Sequence, residues 1–324
     1  MEAMYYEKKE DNLVKCKLCP HGCVIKEGDL GVCRVRKNVG GSLISLNYGK
    51  IASYAYDPIE KKPLYHFYPG SNILSIGTYG CNLKCDFCQN WEISQKKSMA
   101  IEIEDQDILL LAKARGSIGI AYTYNEPSIS YEYVFHMCKL MKDRGLKNVL
   151  VTNGYINEEP LKELLPYVDA MNIDLKAIKE DFYTKICKGK LEPVLKTIKM
   201  AAKQVHVEVT NLIIDGLNSS EDEIEYLASW LAEIDENIPL HLNKYFPAYK
   251  MDLPPTSYDT LMKAKKIAQK HLRYVYIGNV MGIDRNTYCP SCSIELVNRT
   301  TIGQVTGIKD GKCSNCGHKI NVIY

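Results

Sequence analysis

Cys81, Cys85 and Cys88 stand within GTYGCNLKCDFCQNW, residues 77–91, three thiols in eight residues with no fourth beside them. A structural zinc ion wants four ligands in a closed tetrahedral shell, so this triplet is an incomplete site or one completed from elsewhere. A cubane of four irons held by three thiolates keeps one iron open, and the amino and carboxylate groups of an amino acid can chelate that iron. Against this stand two plainer readings of the same spacing: a zinc site with a distant fourth ligand, and a loop of free thiols.

The chain has thirteen cysteines, and only Cys138 and Cys187 lie outside three clusters. Near the C-terminus, Cys289, Cys292, Cys313 and Cys316 form C-x2-C-x20-C-x2-C, close to the spacing of a zinc ribbon. Gly317 suits the turn after the second pair, His318 is a spectator, and residues Ile294 to Gly311 make a hairpin too short to fold without a metal staple. Zinc is the first reading there and an iron–sulfur cluster the alternative. Near the N-terminus, Cys16, Cys19, Cys23 and Cys33 form C-x2-C-x3-C-x9-C, with His21 as a substitute ligand. That spacing fits neither a ribbon nor a ferredoxin run; structural zinc is the first reading and an electron-relaying iron–sulfur cluster the alternative.

What positions these residues is a middle region of alternating short β-branched runs and longer stretches of helical period, the rhythm of βα units around a parallel sheet. Strands are expected near Ile73–Thr78, Gly119–Thr123, Asn148–Thr152, Ala170–Leu175, Val205–Ile213, Leu240–Phe246 and Arg273–Ile277. Helices are expected near Asp105–Ala114, Ser128–Asp143, Glu158–Leu165, Glu192–Lys203, Ser220–Glu236 and Thr256–Lys270. Ser220 and Glu223 have the spacing of a capping box, and Pro160 and Pro193 suit first-turn positions.

A parallel barrel carries its chemistry at the carboxyl ends of its strands. The cysteine triplet, TYNEP (123–127), TNGY (152–155), NIDLK (172–176), EVTN (208–211), HLNKYFP (241–247) and GNVMG (278–282) all fall there. Buried parallel strands ordinarily read as continuous hydrophobics, so Asp174, Lys176, Glu208, Thr210, His241 and Asn243 require partners or a ligand.

The 324 residues, 46% hydrophobic and 25% charged, suit one large α/β domain with small appendages. With neither a long apolar run nor an apolar leader, the expectation is a soluble cytosolic protein. A net charge of +2 gives no reason to expect nucleic acid.

With C-x3-C-x2-C and Phe87 before the last cysteine, the stretch resembles the signature of the radical S-adenosylmethionine (SAM) superfamily. The resemblance implies a [4Fe-4S] cluster on Cys81, Cys85 and Cys88, with SAM on the open iron. It further implies reductive cleavage of SAM to a 5′-deoxyadenosyl radical that abstracts hydrogen from a substrate. By the same likeness Glu126, in Tyr124-Asn125-Glu126 where the family has Gly-Gly-Glu, receives the methionine ammonium. Asp174 and Lys176 resemble the Asp-x-Lys of glycyl-radical activating enzymes, beside the nucleoside. Thr152 and Asn153 match part of a further motif, which those enzymes begin with aspartate where this chain has Val151. Glu208 and His241 are weaker cofactor-binding candidates, equally readable as hydrogen-bonded interior residues.

End to end, the chain is similar to the radical SAM component of the AmmeMemoRadiSam system. CKLCPHGC, YDPIEKKPLYHFYPGSNILSIGTYGCNLKCDFCQNWEISQ, VTNGY, HLNKYFPAYKM and YIGNVMG carry this likeness, with Met281 departing from an expected proline. It implies a partial barrel over residues 71–284, a cysteine-bearing segment over 1–70 and a zinc-ribbon-like segment over 285–324. Memo-like and AMMECR-like proteins are the implied partners, and a ferredoxin or flavodoxin the implied electron donor. Activation of a glycyl-radical enzyme, in the manner of the pyruvate formate-lyase activating enzyme, is a narrower reading. A non-catalytic zinc or iron–sulfur scaffold is the alternative of another class.

Overall fold

The computed structural model describes residues 1–96 and 98–324. Its centre is one sheet, β1 (Ser53–Pro58), β2 (Asn72–Gly77), β3 (Ser117–Tyr122), β4 (Lys147–Thr152), β5 (Ala170–Asp174), β6 (His206–Ile213), β7 (Leu240–Lys244) and β8 (Val275–Gly278). The strands lie in chain order, β2 to β8 all parallel and β1 antiparallel along β2. Among the described residues β8 pairs with β7 alone, so the barrel is open, as expected. The sheet begins at Ser53 rather than at 71. Its first strand, SYAYDP, was missed because an exposed edge strand shows little apolar alternation.

Helix α1 (Trp91–Gln95) lies beside the cysteine loop, and the outer face carries α2 (Asp105–Lys113), α3 (Tyr131–Lys142), α4 (Glu158–Leu164), α5 (Leu191–Ala201), α6 (Glu221–Asp235) and α7 (Tyr258–Ala268). On α5, Leu191, Val194, Ile198 and Ala201 recur at helical spacing and are all buried. Each large side chain there contributes about 1.5–3 kcal/mol by leaving water. Ser220 caps α6 as its spacing suggests, accepting from the Glu223 N–H, but the Glu223 carboxylate takes the Ser220 hydroxyl at 2.7 Å, where a full capping box would have it accept the backbone N–H. Pro127 makes the stretch before α3 a 3-10 turn, so α3 starts at Tyr131 and not at Ser128.

The inner face explains the polar strand residues. The segment from Pro63 to Phe67 runs inside the open barrel and is grasped by side chains from successive strands. Asn172 on β5 donates to the Pro63 carbonyl at 2.8 Å. Glu208 on β6 accepts from the backbone N–H groups of Tyr65 at 3.0 Å and His66 at 2.7 Å. His206 and His241 complete the shell of that carboxylate at 3.0 and 2.6 Å. Glu208 is wholly buried. Burial alone would raise its pKa, but the two imidazoles hold it well below the usual carboxylate range.

The same segment anchors the C-terminal region. His66 bonds the Asn321 carbonyl through Nδ1 at 2.8 Å and the Tyr276 hydroxyl through Nε2 at 2.7 Å. Ile323 pairs with Phe67 through the backbone, accepting from the Tyr68 N–H at 2.7 Å and donating to the His66 carbonyl at 2.8 Å. Arg299 lies over the Tyr65 ring at 4.6 Å and donates to the Tyr65 carbonyl. Small antiparallel pairings, Thr287–Tyr288 with Glu295–Asn298 and Gln304–Val305, and Ile308–Lys309 with Lys312–Cys313, frame the terminal cysteines.

Breaking this shell should be costly. Glu208→Ala leaves two imidazoles and two backbone N–H groups without their acceptor, and is expected to lower unfolding stability by about 3–5 kcal/mol in urea titrations. Acid should act likewise. Burial depresses the His66 pKa from 6.5 to about 3, so between those values the unfolded chain binds a proton that the folded chain refuses. Stability should therefore fall as pH drops through this window, by up to about 1.4 kcal/mol per pH unit from this group. The midpoint of thermal unfolding, compared at pH 7.5 and 5.5, should fall less in His66→Gln than in the wild type; equal slopes would contradict the assignment.

Candidate active site

The loop that follows β2 is shaped before any ligand enters. Gly80 sits at φ +90° in van der Waals contact with the N-terminal segment: a β-carbon there would stand 2.7 Å from both the Cys33 carbonyl oxygen and Val35 Cγ1. Asn125 ties the loop to β3, accepting from the Thr78 N–H at 3.0 Å and donating to the Gly80 carbonyl at 3.0 Å. Helix α1, immediately after Cys88, ends on Arg34, which donates to the carbonyls of Ser94 and Gln95; a cation there suits the helix dipole. On the far side, residues Tyr183–Cys187 form a π-helical turn. Its terminal carbonyls lack intrahelical donors, and they accept the N–H groups of Lys84 (from Cys187, 2.9 Å) and Asp86 (from Ile186, 3.3 Å).

The three thiols thereby line one cavity of 370 Å³ with Phe87, Glu126, Asp174 and Lys176. No three of their ligand atoms crowd to the spacing of a single ion; among the described residues only the C-terminal quartet does so. Thiols spread around one cavity suit a cluster with several metal corners. Cys81 Sγ accepts from the Leu83 N–H at 3.4 Å and from the Asn153 amide at 3.6 Å. Burial pushes the Cys81 thiol well up and raises Cys88 as well, while a hydrogen bond with Cys187 pulls Cys85 down. Buried thiols of this kind become ligands when metal displaces their protons.

Glu126, 2% exposed, accepts three hydrogen bonds: Ser128 N–H at 2.9 Å, Thr152 hydroxyl at 2.7 Å and Asn153 N–H at 2.7 Å. It therefore clamps the loop after β3 to the loop after β4 and retains acceptor capacity toward the cavity. Burial raises its pKa above the ordinary carboxylate value despite these donors. Lys176 Nζ lies 3.1 Å from Asp174 Oδ2. Burial works against its charge, but Asp174 and the nearby thiols hold it protonated.

Tyr124, Asn125, Thr152, Asn153, Thr210 and Asn243 border the same cavity. Glu208 does not, and its four hydrogen-bond partners fit the reading of it as an interior residue; His241 gives Nε2 to Glu208 and borders an adjoining cavity that shares Pro63, Leu212 and Asn243 with this one. Two participants had not been singled out. Asn82, next to Cys81, accepts from the Asn153 amide at 2.9 Å and donates to the Tyr155 carbonyl at 2.7 Å, and its place inside the motif was a usable signal. Cys187, read as isolated, meets Cys85, and no local pattern announced it.

Residues 75–231 match the model of the radical SAM superfamily. A protein of Methanocaldococcus jannaschii named as a candidate glycyl-radical enzyme activating enzyme is 30% identical over 211 residues, covering 63% of this chain and 80% of its own. The chain belongs to the radical SAM superfamily. An uncharacterized protein of the same organism is 44% identical over 333 residues, 99% of either chain. The pyruvate formate-lyase-activating enzyme of Clostridium pasteurianum is 27% identical over 182 residues, 51% of this chain and 75% of its own. Among solved structures, Streptococcus suis SuiB bound to S-adenosylmethionine shares the fold, with a TM-score of 0.52 at 15% identity over 69% of this chain and 53% of that one.

Membership in this superfamily implies a [4Fe-4S] cluster and SAM, and the donor set fits both: three thiols in one cavity, a carboxylate with a free acceptor site and a protonated lysine. Glu126→Gln replaces an acceptor by a donor facing an N–H group. The expected result is a loss of SAM affinity of about ten- to a hundredfold with iron content unchanged. Equilibrium binding to the reconstituted protein checks it; unaltered affinity would place the amino acid elsewhere.

Proposed function

We propose that this chain reductively cleaves SAM and uses the resulting radical to abstract a hydrogen atom from a protein, peptide or small-molecule substrate. The observation that carries the reading is the convergence of Cys81, Cys85, Cys88, Glu126, Asp174 and Lys176 on one cavity from the ends of three separate strands. When bound, the cluster supplies one electron at low potential and an open iron for the amino acid group of SAM. The protein's part is positioning. Glu126 offers an acceptor for the ammonium, Lys176 a cation for the carboxylate, and Asp174 an acceptor for ribose hydroxyls. Thr152 and Asn153 hold Glu126 in place, and the Asn153 amide also restrains Cys81.

The electron donor we assign is of the ferredoxin or flavodoxin class, and zinc is the ion we assign to Cys289, Cys292, Cys313 and Cys316. Paired sulfurs 3.6 Å apart support that choice, since thiolates sharing one tetrahedral zinc sit about 3.8 Å apart. Placement in the AmmeMemoRadiSam system, with Memo-like and AMMECR-like partners in the cytoplasm, rests on the motif likeness. No helix among the described residues is long and apolar enough to cross a membrane.

Glycyl-radical activation is the second reading. The Asp174–Lys176 pair and the activating enzymes among the relatives favour it. A pure scaffold is disfavoured, because Asp174, Lys176 and the remaining acceptor capacity of Glu126 face a cavity that the chain itself does not fill.

After anaerobic reconstitution and reduction by dithionite, the wild type is expected to form 5′-deoxyadenosine from SAM, and Cys88→Ala to form none. Equal background from both proteins would end the proposal. Activation of a partner should appear in electron paramagnetic resonance as a glycine-centred radical.

A further inference from the structure

The two terminal cysteine sets differ in spacing. At the C-terminus, Sγ of Cys289 and Cys316 are 3.6 Å apart, as are those of Cys292 and Cys313, and all four lie within 4.8 Å of one another. That is the spacing of a single tetrahedral ion. At the N-terminus no three of Cys16, Cys19, Cys23 and Cys33 come so close; among the described residues the C-terminal set alone does. The N-terminal four instead surround a small enclosed space, together with Leu18, His21, Arg36 and Ile129. Zinc, the first reading of this spacing, has bonds of about 2.3 Å and so holds its four sulfurs about 3.8 Å apart, the spacing of the C-terminal set and not of this one.

A second observation points to an anionic occupant. Arg36 is 1% exposed and borders the same space, its charge felt by Cys16 and Cys33. Its terminal nitrogens are used, by Glu132 and by the Met4 carbonyl at 2.9 Å, but Nε has no acceptor among the protein atoms. An orphaned N–H on a buried cation is expensive unless something accepts it. Thiolate or inorganic sulfide would do so, and the guanidinium would offset the negative charge of a cluster.

The position is also telling. The Cys33 carbonyl packs on Gly80, the residue before Cys81, and His21 Nε2 lies 2.6 Å from the carbonyl of Asn82, the residue after it. We propose that Cys16, Cys19, Cys23 and Cys33 hold a second iron–sulfur cluster, packed behind the loop of the first, which takes one electron from a low-potential donor protein and passes it to the first. The donor role rests on the function proposed above for Cys81, Cys85 and Cys88; the presence of the second cluster does not.

The test is anaerobic reconstitution of the full chain with ferrous iron and sulfide, followed by iron, sulfide and zinc counts. Wild type is expected to hold about eight irons and one zinc, and the C81A/C85A/C88A variant about four irons and one zinc. Reduction of that variant should give a paramagnetic signal that SAM leaves unchanged. An iron-free triple variant overturns the proposal, as does a wild type with about four irons that the triple variant loses. The wild-type count decides the matter if the variant fails to fold. Iron kept by the triple variant, with no SAM-responsive signal in the wild type, would uphold the second cluster while sinking the function assigned to the first. For the relay, Cys33→Ala should retain the SAM-responsive signal and its reduction by dithionite. Its reduction by flavodoxin should slow at least about tenfold, and an unchanged rate would remove the relay.

Discussion

A carboxylate without solvent organises much of this molecule. Glu208 sits in the middle of a parallel sheet, where an unpaired charge would be intolerable, and four donors converge on it: two backbone N–H groups and two imidazoles. Because the backbone donors belong to Tyr65 and His66, satisfying the charge also threads that segment through the open barrel. His66 and Arg299 then fasten the C-terminal region to it. An open barrel leaves its inner face uncovered, and here the chain's own segment fills part of it. What remains above the filled part is the cavity of the cysteine triplet, and Pro63 forms part of its wall.

The cavity is built from loops that share their hydrogen bonds. Glu126 spends three acceptor positions on the framework and keeps one side toward the cavity, so it positions and presents at once. Asn125, Asn82 and Asn153 work in the same way, each joining two loops through donor and acceptor atoms of one amide. A loop carrying three thiols would otherwise be free to collapse into disulfides or onto a single ion. Its N–H groups are instead held on the carbonyls of the π-helical turn, and the sulfurs stay apart.

The three cysteine sets therefore illustrate how backbone geometry selects a metal centre. The C-terminal hairpins draw four sulfurs to the distances of one ion. The other two sets hold their sulfurs farther apart, one around an open cavity and one around a closed space with a buried arginine. Thiol chemistry is the same in all three; the distance between the sulfurs differs.

The parallel βα order, the outer helices and the placing of the triplet after β2 were legible in the residues, because period and capping are local properties. So was the gathering of polar loops at one end of the sheet, which follows from strands running the same way. The edge strand Ser53–Pro58 and the segment inside the barrel were not legible, since both depend on partners far along the chain. The same reason separates Glu208 and His241 from Asp174 and Lys176. All four are polar residues on buried strands or just past the end of one, and only the packing tells which are held by a structural partner and which face the cavity. Sequence by itself determined which atoms were available as ligands; tertiary structure decided how far apart they stand, because that distance is set by contacts between segments that sequence leaves unpaired.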